Sequence, residues 1–194
     1  MQAKQNPTPE PPDAFLERIP DNVLLEPIEY LFADHCRQAD MCEVLKSFVV
    51  RHASTNPDVA TAAKILHCLD VDMSMHIVDE EMDLFPRLRN RARPEDHFPE
   101  LLRLLSKEHE RDRVLSETVR AGLANIVQGK PLPNAEQFCR TATTLATGHL
   151  SHLNWENAVI LPLARKRLTA EDLKAMGRTM ASRRSIPYPE APID

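Results

Sequence analysis

One pattern is written twice along this chain, and it limits the possible folds more than any other feature. His35 is followed by His76, Glu80 and Pro86; His109 is followed by His152, Glu156 and Pro162. The paired histidines stand 41 residues apart (35 to 76) and 43 apart (109 to 152). The glutamate comes four residues after the second histidine both times, and the proline six residues after the glutamate. The stretch HIVDEEMDLFPRLRNR, 76–91, lies over HLNWENAVILPLARKR, 152–167, without a gap. Random drift does not keep four histidines and two carboxylates in matched places. A metal site shared between two half-units does.

The chain has 194 residues, the length of a single domain with a sizeable core. It holds only 4 glycines and is dominated by helix formers such as Leu, Ala, Glu and Arg. The 16 prolines are compatible with helices because of where they fall. Several crowd into a polar N-terminal arm, 1–22, and others into the tail after a short last helix, 168–194; both ends read as disordered or draped over the surface. Pro27, Pro57 and Pro99 stand where helices begin, a position proline tolerates. Between the ends, 23–167, four long helices are expected: 23–52, 57–89 capped by Asn56, 99–127 ended near Gly129, and 135–166 capped by Asn134. A fifth starts at Thr169, where Thr169 and Asp172 form a capping box. Short connections force antiparallel packing, so the fold class is all-α, an up-down-up-down four-helix bundle with a short C-terminal fifth helix.

On those helices, His35, His76, His109 and His152 fall roughly 15–20 Å from the same end of the bundle, at about 1.5 Å per residue. Glu80 and Glu156, four residues beyond a histidine, share its helix face. Glu81 is five beyond His76 and turns about 140° away; its match in the second half is Asn157, so neither reads as a ligand. His149, three before His152 and matched to Met73, reads as a fifth ligand or a pocket residue. Asp83 lies on the ligand face, placed to hold a ligand histidine by a hydrogen bond. Asp34 and Glu108, each just before a histidine, read as solvated or interhelical charges. His67 points away from His76, His52 and His97 read as surface residues, and Cys42 as a small core residue.

Imidazole suits iron, zinc and copper, and carboxylate suits harder ions. Six ligands exceed one tetrahedral zinc and fit a pair of metals about 3.5–4 Å apart. The residues His35, His76-x3-Glu80, His109 and His152-x3-Glu156 resemble the hemerythrin-like family, or HHE cation-binding domain, in its variant H…HxxxE…H…HxxxE. The segments DEEMDLFPRL and ENAVILPLA resemble its acidic-apolar-proline stretches, and the resemblance covers roughly residues 24 to 167. It implies a non-haem di-iron centre of two iron ions, oxo- or hydroxo-bridged when oxidised, meeting O2, peroxide or nitric oxide. The O2-carrying hemerythrins have five histidine ligands. The symmetric set here has four with two glutamates, which favours oxidation chemistry, sensing or iron binding over reversible O2 carriage.

The net charge of −5 and the lack of a basic tract argue against a nucleic-acid binder. No apolar run approaches the roughly 20 residues of a membrane span. Cys36, Cys42, Cys68 and Cys139 form no CxxC pair and read as reduced, cytoplasmic thiols. Three functions follow: a di-iron protein reacting with a small diatomic or peroxide ligand, a regulatory module sensing iron, oxygen or redox state without turnover, or a purely structural metal bundle. The Pro-rich arm and the basic helix KAMGRTMASRR would be the output surfaces of the second. No protein partner is indicated.

Overall fold

The structure, a computed structural model, describes residues 13–52 and 57–189. Its long helices are α1 (Pro27–His52), α2 (59–91), α3 (Phe98–Val127), α4 (Ala135–Ala158), α5 (Ile160–Arg167) and α6 (Ala170–Arg183). The fold is an all-α helical bundle, with α4 and α5 forming one rod bent at Val159. No strand occurs among the described residues.

Local chemistry explains the ends. Pro27 and Pro99 sit at helix starts, where a missing N–H costs nothing. Asn134 caps α4 by accepting from the Gln137 N–H, and Thr169 with Asp172 closes a capping box on α6. Gly129, with φ of 66°, turns the chain out of α3 in a conformation that side-chain-bearing residues resist. The cap of α2 is Asp58, whose carboxylate accepts from the N–H groups of Ala60 and Thr61. Asn56, the expected cap, lies outside the described residues.

The long helices are interrupted in three places, two of them where the repeats carry their carboxylates. In α2 the turns Cys68–Asp72 and Glu80–Leu84 are π-helical, each adding a residue to the helical turn. The first leaves the Leu69 carbonyl free of its usual partner, and the Arg120 guanidinium of α3 donates to it. The second precedes Pro86, which has no N–H to offer Met82. Its repeat match, Pro162, follows the bend at Val159 (φ −123°, ψ −55°). Each half therefore deforms just after its glutamate.

Apolar side chains divide into two clusters. One holds Met41, Leu45, Phe48, Ile65, Leu69, Leu123 and Phe138. The other holds Leu31, Leu84, Leu88, Phe98, Leu105, Ile160 and Met176. Along every helix the buried polar residues fall between these two sets, so the bundle carries a polar layer across its middle.

The N-terminal arm differs from the surface-draped reading. Phe15 and Ile19 are buried, because the apolar residues among the N-terminal prolines fill gaps in the two clusters. Helix α6 packs Met176, Met180 and Ala181 inward. At Gly177 an added Cβ would lie 2.2 Å from the Leu24 carbonyl oxygen, so glycine is what allows this approach. Residues 1–12 and 190–194 lie outside the described set.

Candidate metal centre

The six residues singled out by the repeat meet in the polar layer. α1 supplies His35, α2 His76 and Glu80, α3 His109, and α4 His152 and Glu156; all six are buried. They form two groups that could each hold a metal ion: His35, His76, Glu80 and Glu156, and Glu80, His109, His152 and Glu156. Both glutamates belong to both groups, so each is placed to bridge.

Separations across the cluster are uniform. His35 Nε2 lies 3.5 Å from Glu156 Oε2 and 3.8 Å from Glu80 Oε1. His76 Nε2 is 3.4 Å from Glu80 Oε1, and His109 Nε2 is 3.5 Å from Glu80 Oε2. His152 Nε2 is 3.3 Å from Glu156 Oε2 and 3.2 Å from His109 Nε2. Most are long for hydrogen bonds. Two atoms each about 2.0–2.2 Å from a shared metal can stand up to roughly 4.4 Å apart, so all six distances suit common ligation.

The unmet valences carry the same message. Both carboxylate oxygens of Glu80 and of Glu156, with His35 Nε2 and His76 Nε2, are buried without a hydrogen-bond partner. An unpartnered buried carboxylate is among the costliest groups a protein can hold, and cations repair it. Burial disfavours charge on His76, but facing Glu80 and Asp34 outweigh it and push its pKa up to about 10. His152 behaves alike: burial opposes charge, Glu156 and Glu108 prevail, and the pKa rises to about 9. His109 is also raised, against burial, by Glu80. Glu80 is lowered despite its burial, by His76, His109 and His35. This shell demands positive charge, whether as protons on imidazole or as metal cations.

Each histidine turns its other nitrogen to an acceptor. His35 Nδ1 lies 2.7 Å from Asn157 Oδ1, His109 Nδ1 3.2 Å from Glu81 Oε1, and His152 Nδ1 2.8 Å from Glu108 Oε2. His76 Nδ1 lies 3.2 Å from Asp34 Oδ2, within ion-pair reach but off the line of a well-formed hydrogen bond. An acceptor at Nδ1 keeps the proton there and leaves the Nε2 lone pair facing the centre. The four acceptors are themselves repeat-matched: Asp34 with Glu108, and Glu81 with Asn157. The first pair serves the histidine of its own half; the second reaches across to the other half.

Sequence reasoning missed these four. It treated Asp34 and Glu108 as solvated or interhelical charges and turned Glu81 and Asn157 away from the ligand face. Turning away from the histidine of one's own helix is what directs a side chain at the neighbouring helix. The available signal was the matched placement of the acceptors in the repeat.

Of the two readings of His149, ligand or pocket residue, the structure supports the second: it is in neither metal group, and both its nitrogens are engaged, Nε2 2.8 Å from Gln38 Oε1 and Nδ1 3.2 Å from Asp112 Oδ2. Burial lowers its pKa, with Asp112 opposing. Its ring stacks on His152, centroids 5.8 Å apart, so it buttresses the cluster. The expectation for Asp83 is corrected: it holds no ligand histidine. It accepts from Thr179 (2.6 Å) and Arg87 (2.8 Å) and pairs with Arg183. The added residue of the π turn retards the helix phase by as much as roughly 100°, which takes Asp83 off the ligand face. His67 is exposed and away from the cluster, as expected.

Arg183 and Arg184 at the end of α6 turn inward, both onto Asp79, the residue before Glu80. Arg184 Nε donates to the Tyr30 hydroxyl at 3.0 Å, and its guanidinium lies over the Tyr30 ring, 4.7 Å from the centroid. The basic helix therefore spends two arginines inside the fold.

Residues 26–164 match the family model described as the Hemerythrin HHE cation binding domain. A protein of Haemophilus influenzae (strain ATCC 51907 / DSM 11121 / KW20 / Rd), named an uncharacterized protein, is 26% identical over 165 residues. The alignment covers 83% of this chain and 91% of that protein. No solved structure gives a significant match.

Proposed function

The chain belongs to the hemerythrin HHE cation-binding family, and from that premise we propose that it holds two iron ions and reacts with O2, peroxide or nitric oxide. The ligands in this reading are His35, His76, His109 and His152, with Glu80 and Glu156 bridging. The carrying observation is the sharing of both buried glutamates between two four-residue groups. A pair of irons supplies two redox equivalents and an exchangeable coordination position to a small oxidant.

The chain's own residues prepare that chemistry. Asp34, Glu81, Glu108 and Asn157 fix the tautomer and ring orientation of the four imidazoles. The apolar clusters on both sides keep the layer dry, which strengthens its electrostatics. With His149 held by Gln38 and Asp112, the protein offers two imidazoles per metal plus shared carboxylates, short of a full octahedral set. We place the protein in the cytoplasm, a reading supported by four free cysteines; no described helix is long and apolar enough to cross a membrane.

The test is reactivity. Anaerobic ferrous protein should oxidise on exposure to air or peroxide, and azide or nitric oxide should compete for the open position. Ferrous protein that survives air for hours and ignores azide would defeat this reading and leave a purely structural metal bundle.

A sensing role without turnover is the second reading. It is favoured by the grip of α6, which lies beyond the matched residues, on Asp79 beside Glu80. Metal-dependent protection of α6 from limited proteolysis would support it.

A further inference from the structure

We infer that α6 is a clamp on the turn that carries Glu80: the Arg183 guanidinium spans that turn, pairing with Asp79 before the glutamate and Asp83 after it, and so sets the direction in which Glu80 meets the centre. Arg183 and Thr179 are thereby positioning residues. The inference rests on the two-metal reading above and adds the element that governs one of its bridging ligands.

The sequence places the parts. On α6, Met176 and Met180 pack inward, and Thr179 and Arg183, four residues apart, share one helix face. On α2, Asp79 and Asp83 have the same spacing and are 0% and 3% exposed. The two rows meet. Thr179 Oγ1 donates to Asp83 Oδ1 at 2.6 Å, and Arg183 forks across both carboxylates. Arg184 adds a second guanidinium to Asp79. A buried carboxylate is costly without counter-charge, so the arginines hold both aspartates where they are. The segment those aspartates bracket opens the π turn Glu80–Leu84.

A π turn is rare and persists where its surroundings hold it. The repeat supplies an internal comparison. The second half has the same glutamate-to-proline spacing, but Trp155 and Val159 stand where the first half has Asp79 and Asp83. There the rod bends at Val159 instead of widening into a π turn. Proline alone therefore does not make the turn, which accompanies the clamped carboxylates. The other π turn of α2 follows the same rule, with Arg120 of α3 paired to Asp70 at 3.0 Å and donating to Ser74 Oγ at 3.1 Å. Neither carboxylate oxygen of Glu80 has a hydrogen-bond partner, so its aim is set by the backbone of the turn. The coupling is reciprocal: docked α6 tightens metal binding by the same factor by which bound metal tightens the hold of α6.

The test joins amide hydrogen exchange to anaerobic ferrous-iron binding, both on the full chain. The Phe85 N–H bonds the Glu80 carbonyl across the π turn. In Arg183→Ala it should exchange faster by about tenfold or more relative to the Ile65 amide, which lies on α2 away from the clamp. Ferrous affinity should weaken by about tenfold or more for both ions together, since Glu80 belongs to both groups and partners behind metal ligands act on that scale. Leu123→Ala, which lowers Tm from the other apolar cluster, should change neither the exchange ratio nor the affinity while it stays folded. Should Arg183→Ala not fold, Arg183→Lys, which keeps the charge and loses the fork, carries both readouts. An unchanged exchange ratio would overturn the clamp whatever the iron does. Faster exchange with undiminished iron binding would overturn its control of Glu80, as would equal weakening in Leu123→Ala. Unaltered protein that takes up fewer than two irons would defeat the two-metal reading, and the exchange ratio would still decide the clamp.

Discussion

His35 donates from Nδ1 to Asn157 Oδ1 at 2.7 Å, from the first half of the molecule to the second. The reverse link, Glu81 to His109, completes an exchange that ties the halves together around the cluster. An amide oxygen can only accept, so His35 carries its proton on Nδ1 and offers Nε2 to the centre. The repeat thus has a structural purpose: each half orients part of the other's ligand set.

The equivalence of the halves makes paired substitutions comparable. His76→Ala and His152→Ala should lower metal content to similar extents and reduce Tm together, because a metal that binds only the folded chain adds its binding free energy to stability, about 2.7 kcal/mol at 100-fold excess over Kd. His67→Ala, on the exposed side of α2, should change neither. Metal analysis beside thermal melts checks this. Metal lost from His67→Ala and kept in His76→Ala would contradict the placement of α2.

His149 offers a contrast within the same layer. His149→Ala should keep the full metal content, since neither nitrogen is free to coordinate. It should cost about 1–3 kcal/mol of stability, the penalty for leaving Gln38 and Asp112 buried without their partner. Denaturant unfolding measures the loss. A fall in metal content with unchanged folding would restore His149 as a ligand.

Helix α6 should matter more than its place outside the family match suggests. Asp79 is fully buried and forms ion pairs with Arg183 and Arg184. Replacing Arg183 and Arg184 together by Ala should destabilise the fold by about 3 kcal/mol, the scale for leaving a buried charge such as Asp79 uncompensated. Adding Asp79→Asn to that variant should recover part of the loss by removing the stranded charge. A melt unchanged by the double replacement would show that α6 does not grip the ligand helix.

Stability should respond to pH differently with and without metal. The folded-state pKa values of His76 and His152, about 10 and about 9, exceed their ordinary value of 6.5. In protein stripped by a chelator, their stabilising contribution is fully present below about pH 6.5 and is lost as pH rises through about 9 to 10. Metal binding requires these imidazoles deprotonated and releases their protons, so the metal contribution grows over the same interval. Melts from about pH 6.5 to about 9.5 should fall for the stripped protein while the gap between loaded and stripped protein widens. Parallel curves would contradict the coupling of metal to these protons.

Much of this arrangement is legible in the sequence for a physical reason. A regular helix converts spacing into direction, so the four-residue steps from His76 to Glu80 and from His152 to Glu156 suffice to put each pair on one face. Legibility ends where helices stop being regular or side chains cross between them. The π turn at Glu80–Leu84 shifts the phase of Asp83. The acceptors Glu81 and Asn157 serve histidines on other helices, and spacing along one helix carries no information about its neighbours. Arg183 and Arg184 resemble an exposed basic surface because nothing in their own stretch names Asp79 as a partner.

The central claim is a two-iron centre held by six residues, and iron counting tests it most directly. Protein purified from iron-replete cells should carry two irons per chain by elemental analysis, with near-ultraviolet absorption once oxidised. One zinc per chain after iron-loaded expression, with no second metal, would contradict it.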